Sequence, residues 1–365
     1  MPPTIVVAGS AEAGGADCLI PVVIELRRRG RTVHVVAGPR AHHLFAQAGV
    51  SFEHATDAAA TAVAERLVQT HAPAVVLTGL VGPKDNLDYA LIRAAKHLGR
   101  PVVSALDSWM NYADRLRLVP DGPLSPAITP DVIAVMDGVA LAEMVEDGVP
   151  AELCAVTGHP KFDSLAARGR PTSRLRERYG IDPDEVVLTF FSHSITEAYP
   201  ENQLGYTEAD AVGILFEGIR QLGRDTGVFL LFKEHPRAKT AGLDRLVAPR
   251  RFRLIEDGDA DELMLGSDVV ASMASTMLVF AAGLGIPVIS IQPNLVPGED
   301  RCILTRRRHV EAVGSAQQFV AAFRAALESI RDGVASPLSG WALQDGKAGV
   351  RVANLVDRRA GLECS

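Results

Sequence analysis

The sequence predicts an α/β protein made of two successive halves, each a doubly wound parallel sheet flanked by helices. Three observations carry this. Short β-branched runs recur along the chain and read as strands buried on both faces. Helical segments alternate with them, the pattern of right-handed crossover units. The rhythm breaks around 158–172, where Gly, Pro, Arg and Ser concentrate, and then restarts. A chain of 365 residues suits two domains at roughly 100–200 residues each. The expected boundaries are 1–163 and 164–365, with a C-terminal helix able to pack back on the first half.

The elements follow in order. Thr4–Ser10 is a strand ending in Gly9-Ser10, and Ala11–Gly15 a small-residue loop. Cys18–Gly30 has helical spacing and a Gly stop. Thr32–Ala37, Ala74–Thr78 and Pro101–Leu106 are strands, with a helix over Leu87–Leu98. After the break, Glu185–Phe191, Val228–Lys233, Arg253–Ile255, Asp268–Ala271 and Pro287–Ile291 read as strands. Ala209–Gly223, Met277–Leu284 and Ala316–Arg331 read as helices.

Composition narrows the function class. Lys+Arg total 37 against 44 Asp+Glu, a formal net charge of −7, with 47% hydrophobic and 22% charged residues. Disorder is excluded, and an acidic surface argues against a nucleic-acid partner, whose binding rests on phosphate neutralisation. The longest apolar stretch, Val269–Ile291, is interrupted by Ser, Thr, Gly and Pro, so no integral membrane segment is expected. No charged n-region precedes an apolar core at the N-terminus, so no signal peptide is expected. The four cysteines, Cys18, Cys154, Cys302 and Cys364, lack CxxC spacing. That fits reduced thiols in a cytoplasmic enzyme, without a disulfide framework or a metal site.

Open α/β sheets bind ligands beyond the carboxyl ends of their strands, near helix N-termini. In the first half this directs attention to Gly9–Gly15, which matches neither GxGxxG nor a P-loop. Gly14 belongs to a turn that either approaches a ligand or only tightens the chain. Glu12 is either a base or a solvated loop acid. Asp107, followed by Ser108-Trp109-Met110-Asn111-Tyr112, is the leading candidate for a base that orients substrate; the alternative is a helix cap. In the second half, Ser192-His193-Ser194 offers hydroxyls and an imidazole to a phosphate. Lys233-Glu234-His235-Pro236-Arg237 places His235, held extended by the following proline, between two cations. Ser272, Ser275 and Thr276 precede a helix and suit either an N-cap or an anion. Arg306–His309 reads as a solvated charged run.

Taken in order, GSAEAGG in the first turn, Val156–Asp163 at the junction, Glu234-His235-Pro236, Ser267–Val270, Ser275-Thr276 and Leu284–Ile289 resemble the GT-B superfamily of nucleotide-sugar enzymes. The junction motif is similar to that of UDP-N-acetylglucosamine 2-epimerases. The His-Pro and Ser-Thr pairs are similar to those of sialyltransferases, polysialyltransferases and CDP-glycerol glycerophosphotransferases, where they hold nucleotide phosphates. The sequence departs from the epimerases where they carry Gly-Asp-Thr: here the stretch is Thr78-Gly79-Leu80-Val81-Gly82. Their His-Arg-x-Glu-Asn becomes Ser192-His193-Ser194-Ile195, with Glu201-Asn202 several residues on.

The resemblance implies two Rossmann-like domains facing across a cleft that holds the active site. The leading expectation is a metal-independent glycosyltransferase without a cofactor. Its nucleotide-sugar donor, with UDP as the nucleotide, would lie on Ser192, His193, Ser194, His235, Arg237, Ser272, Ser275 and Thr276. An unknown acceptor would lie near Gly14, with Asp107, Glu12 and His235 as the catalytic groups. A homodimer fits this reading. The alternatives are an epimerase or hydrolase on the same scaffold and a non-catalytic nucleotide-sugar binder.

Overall fold

The computed structural model describes residues 4–82, 86–119, 121–223, 226–235, 247–333 and 344–362. Two compact units emerge, Met1–Ala167 with Ala342–Ser365, and Arg168–Trp341. Each is built on one all-parallel sheet.

Unit 1 contains β1 (Ile5–Ser10), β2 (Thr32–Ala37), β3 (Glu53–His54), β4 (Val75–Leu80), β5 (Val102–Leu106), β6 (Val132–Val135) and β7 (Cys154–Val156). Their order across the sheet is β3-β2-β1-β4-β5-β6-β7. The order reverses direction between β1 and β4, and the carboxyl ends of these two strands open the crevice where such sheets take ligands. Central strands are apolar on both faces because helices cover both: Val6, Val7, Ala8, Val76 and Leu77 have no exposure. Inside the sheet, Thr78 and Ser104 lie opposite each other in the β4–β5 register, and their buried hydroxyls are 2.6 Å apart.

Unit 2 contains β8 (Val186–Phe191), β9 (Val228–Lys233), β10 (Phe252–Ile255), β11 (Val269–Ser272), β12 (Val288–Ile291) and β13 (Ala312–Val313). The order is β10-β9-β8-β11-β12-β13, with its reversal between β8 and β11. The helices Glu208–Leu222 and Ala316–Arg331 pack together over one face, with Phe216, Phe319 and Phe323 in the core.

Two sequence expectations need correction, and one helix is added. The presumed linker at 158–172 is largely helical: Pro160–Arg168 forms one helix and Thr172–Tyr179 the next. Proline at the first helical position costs nothing, because that N–H has no intrahelical partner. The helix expected from Cys18 begins at Ala13 and runs to Arg28 through Pro21, so Gly14 and Gly15 lie in its first turn instead of in a loop. Ala60–His71, unassigned from sequence, is a helix burying Ala60, Ala64, Leu67 and Val68.

The C-terminal helix Ala348–Arg359 packs on Ala13–Arg28. Arg29 and Arg31 both ion-pair with the buried Asp357 at 2.9 Å, and Asp163 Oδ2 accepts the Gly349 N–H at 2.8 Å. Among the described residues, no helix is long and apolar enough to cross a membrane.

Candidate functional site

In unit 1 the chemistry gathers beyond β1, β4 and β5. The first turn of Ala13–Arg28 lacks side chains for a reason. A Cβ on Gly14 would lie 2.4 Å from Asp107 Oδ2, and one on Gly15 would lie 2.1 Å from Ser10 Oγ. Two glycines cost helix stability, but here they let a carboxylate and a hydroxyl approach the backbone. Gly79, near the end of β4, serves the same purpose: its Cβ would lie 2.7 Å from Asp88 Oδ1.

Asp107 caps no helix. Its Oδ1 accepts from Arg115 Nη1 at 2.6 Å, with the two side chains 17% and 10% exposed. Arg115 also donates to Ser108 Oγ at 2.5 Å and to the Leu80 carbonyl. Asp107 Oδ2 faces the N-terminus of Ala13–Arg28, a position that favours negative charge. Glu12, the N-cap residue, makes no side-chain capping bond and instead pairs with Arg40 at 2.7 Å. Both sequence-predicted carboxylates of unit 1 are therefore arginine-paired.

Beneath Asp107 lies a residue the sequence reading did not place in the site. His159, 1% exposed, offers Nε2 to the Asp107 carbonyl at 3.1 Å, and its Nδ1 accepts the Lys161 N–H at 3.2 Å. These partners require neutral imidazole with the proton on Nε2. Burial pulls its pKa down to about 4, against the opposing pull of the Asp107 carbonyl. Trp109 stacks on the ring at 5.6 Å, and its Nε1–H donates to Asp137 Oδ2 at 2.6 Å. Lys161 Nζ donates to Asp17 at 2.5 Å. This shell orients Asp107 from behind.

Asp88 was also missed. It is fully buried, and its Oδ2 accepts the Ala11 N–H at 2.7 Å.

In unit 2, Ser192-His193-Ser194 follows β8 and His235 follows β9. The rings of His193 and His235 are 6.1 Å apart and nearly perpendicular. Ser194 Oγ donates to Glu197 at 2.8 Å. Ser275 caps the helix Thr276–Gly283, accepting the Met277 N–H at 3.2 Å, and Thr276 opens it. Ser272 is a different case: it has no exposure and donates to the Phe191 carbonyl at 2.7 Å, which ties β11 to β8. Lys233, expected to add to a local cationic pocket, is half-buried and donates to the carbonyls of Glu234 and Glu256. Arg237 lies outside the described residues. Among the described residues, no group of three or more His, Cys, Asp or Glu side chains is placed to hold a metal ion.

No family model and no curated relative matches this chain. Solved structures do. The UDP complex of MnaA from S. aureus aligns with a TM-score of 0.72 at 15% identity, covering 99% of this chain and 98% of that one. The UDP-GlcNAc 2-epimerase of Neisseria meningitidis, bound to UDP-GlcNAc, aligns at 0.69 and 14%, covering 97% and 100%. The UDP-GlcNAc 2-epimerase of Methanocaldococcus jannaschii aligns at 0.68 and 15%, covering 98% and 99%. At this identity the likeness establishes the fold: two Rossmann-like units in the GT-B-like arrangement of strands and helices.

Proposed function

We propose that this protein acts on a UDP-linked sugar, as an epimerase or hydrolase related in chemistry to the UDP-GlcNAc 2-epimerases. One observation carries the reading. The fold is shared along almost the whole chain with proteins named for that activity and solved with UDP-GlcNAc or UDP.

In this reading unit 2 supplies the diphosphate groups. The N-terminus of Thr276–Gly283, capped by Ser275, offers amides to an anion, and His193 and His235 stand at neighbouring strand ends as donors. Transition-state charge on a departing UDP is then met by amides, hydroxyls and imidazoles. In unit 1, Asp107 is the carboxylate that handles a proton or a water, positioned by Arg115 and by the buried, neutral His159. Gly14 keeps the helix backbone within reach of that carboxylate.

Glycosyl transfer is a second reading with its own support. Inverting a sugar carbon needs one group to remove a proton and another to return it. Both Asp107 and Glu12 are arginine-paired, and Leu80 ends β4 with an apolar side chain. Transfer to an acceptor hydroxyl needs only one base.

The test is incubation with UDP-GlcNAc, followed by proton NMR and chromatography. A C2 epimer or free UDP supports the first reading. Turnover only when an acceptor is added supports the second. No turnover and no thermal shift with any UDP-, CDP-, dTDP- or GDP-linked ligand sinks both.

A further inference from the structure

Asp88 occupies the first turn of Leu87–His97, behind its cap Asn86. Three polar atoms at this corner have no hydrogen-bond partner among the described residues: Asn86 Nδ2, Asp88 Oδ1 and the Tyr89 hydroxyl. All three residues are at most 3% exposed. Asp88 Oδ1 is pressed against Gly79, with Gly15 Cα and Ser10 Oγ bordering the same spot. Its other oxygen holds the Ala11 N–H. One carboxyl group thus ties β4 and the start of one helix to the turn that leads into another.

We propose that Asp88 is a positioning residue: as the neutral acid it keeps the Ser10–Gly15 turn closed against the start of Leu87–His97, and its ionisation opens that turn.

The geometry supplies the reason. A carboxylate with no exposure, met by little more than the Ala11 N–H and the Ser10 hydroxyl, is costly when charged, and the cost falls if water reaches Oδ1, which has no well-aligned donor among the described residues. On one side stands β4, fixed in the sheet centre. On the other stands Ala11–Glu12, the two-residue link between β1 and the helix Ala13–Arg28. Burial pushes the Asp88 carboxyl up to about 7, against the pull of the Ala11 N–H and the Ser10 hydroxyl, and the charge of Glu12 pushes it the same way. The titratable groups facing this corner are Glu12 on the turn, itself paired with Arg40, and Tyr89 on the same helix. Behind Tyr89 are Asp107, Arg115 and Arg93. Because the turn carries Glu12 and Gly14, its opening above neutral pH weakens sugar binding on unit 1. This last step rests on the proposed function; the conformational step does not.

Two measurements test the conformational step. The first compares melting of the wild type with Asp88→Asn, whose amide keeps an acceptor for Ala11 and cannot ionise. The folded-state value lies above the unfolded one, so the acid's stabilising contribution is present at low pH and is lost as pH rises through about 7. The melting advantage of Asp88→Asn over wild type should therefore grow by about 4 °C between pH 5.5 and 8. The second needs no variant. Hydrogen exchange of the Ala11–Gly15 amides, relative to amides in Glu208–Leu222, should lose protection severalfold over the same range. A constant melting difference, or a flat exchange ratio, overturns the proposal. UDP-GlcNAc titrations at both pH values then isolate the functional step. Affinity falling severalfold in wild type but not in Asp88→Asn supports it. If melting and exchange respond but UDP-GlcNAc binds at neither pH, the role of Asp88 in the turn stands and the proposed function falls.

Discussion

Replacing Gly14 by alanine is expected to destabilise the protein, against the usual effect of that change in a helix. Elsewhere a helical Gly→Ala substitution gains about 1 kcal/mol. Here the new methyl would sit 2.4 Å from Asp107 Oδ2 and 3.2 Å from its Cβ. The carboxylate has little freedom to retreat, since Arg115 holds its other oxygen at 2.6 Å. Pushing it aside breaks the pair and leaves a mostly buried guanidinium without its partner. Breaking such a pair costs about 3–5 kcal/mol; the partial exposure of Asp107 selects the lower end, and the helix gain offsets about 1. A net loss of about 2 kcal/mol follows. Chemical denaturation followed by circular dichroism measures it, with Gly213→Ala as the comparison. Gly213 lies inside Glu208–Leu222 with nothing within 4 Å of its would-be Cβ, so that variant should be neutral or stabilised. If Gly14→Ala is also stabilised, the argument that Asp107 dictates glycine there is refuted. The Gly14→Ala protein should in addition lose at least tenfold in turnover of UDP-GlcNAc, while Gly213→Ala keeps it.

Further expectations concern other parts of the two units. His159→Gln should flatten stability between about pH 4 and 6.5: the buried imidazole takes its proton only below about 4, whereas the unfolded chain binds it near 6.5. Wild type is therefore destabilised as pH falls through that window, which melting curves will show, and an unchanged slope in the variant would remove His159 from the account. Asp137→Ala removes both the cap of Gly138–Glu146 and the partner of the Trp109 indole; a loss of about 2 kcal/mol is expected by denaturation. Ser275→Ala should cost about 1 kcal/mol through the lost cap and weaken UDP binding measured by calorimetry, whereas weakened folding with unchanged UDP affinity would confine Ser275 to a structural role. Gly218→Val should be poorly tolerated, since even a Cβ there lies 2.3 Å from the Phe319 ring; a melting point equal to wild type would contradict this packing.

The strands were legible where they are central. Val228–Lys233 is apolar on both faces and Thr32–Ala37 carries Val33, Val35 and Ala37 on its buried face, and sequence and structure agree on their bounds. Edge strands of two or three residues were not, although the four-residue edge strand Phe252–Ile255 was. Cys154–Val156 has three residues and Glu53–His54 two, too short to show periodicity. Ala60–His71 hides because alanines form much of its buried stripe. Asp107, His193 and His235 lie just beyond the ends of long strands, where the parallel-sheet rule alone directs attention. Arg115, His159 and Asp88 were missed because their roles depend on contacts between residues far apart in sequence. A local signal existed for His159, which precedes a proline at a helix start much as His235 precedes Pro236. Nothing local distinguishes Asp88 from an ordinary acidic residue in a first helical turn. Its burial becomes visible only once Gly79 is seen to make room for its carboxyl oxygen. The expectation that Ser272 faces a ligand failed because strand alternation turned its hydroxyl into the sheet, toward Phe191.

The buried hydroxyl pair between β4 and β5 has a consequence for how the sheet assembles. Thr78 and Ser104 satisfy each other only when these strands align as observed. A slip of one strand by one residue would turn its hydroxyl to the opposite face and leave both hydroxyls without partners, at about 1–3 kcal/mol each. Apolar neighbours such as Val76 and Leu77 would tolerate that slip far better, since either face of the sheet is greasy. The two polar atoms therefore act as a proofreading mark within an otherwise ambiguous apolar surface. Because Gly79 and Asp107 sit one and three positions beyond them, the same mark determines whether the ends of both strands arrive at the same level.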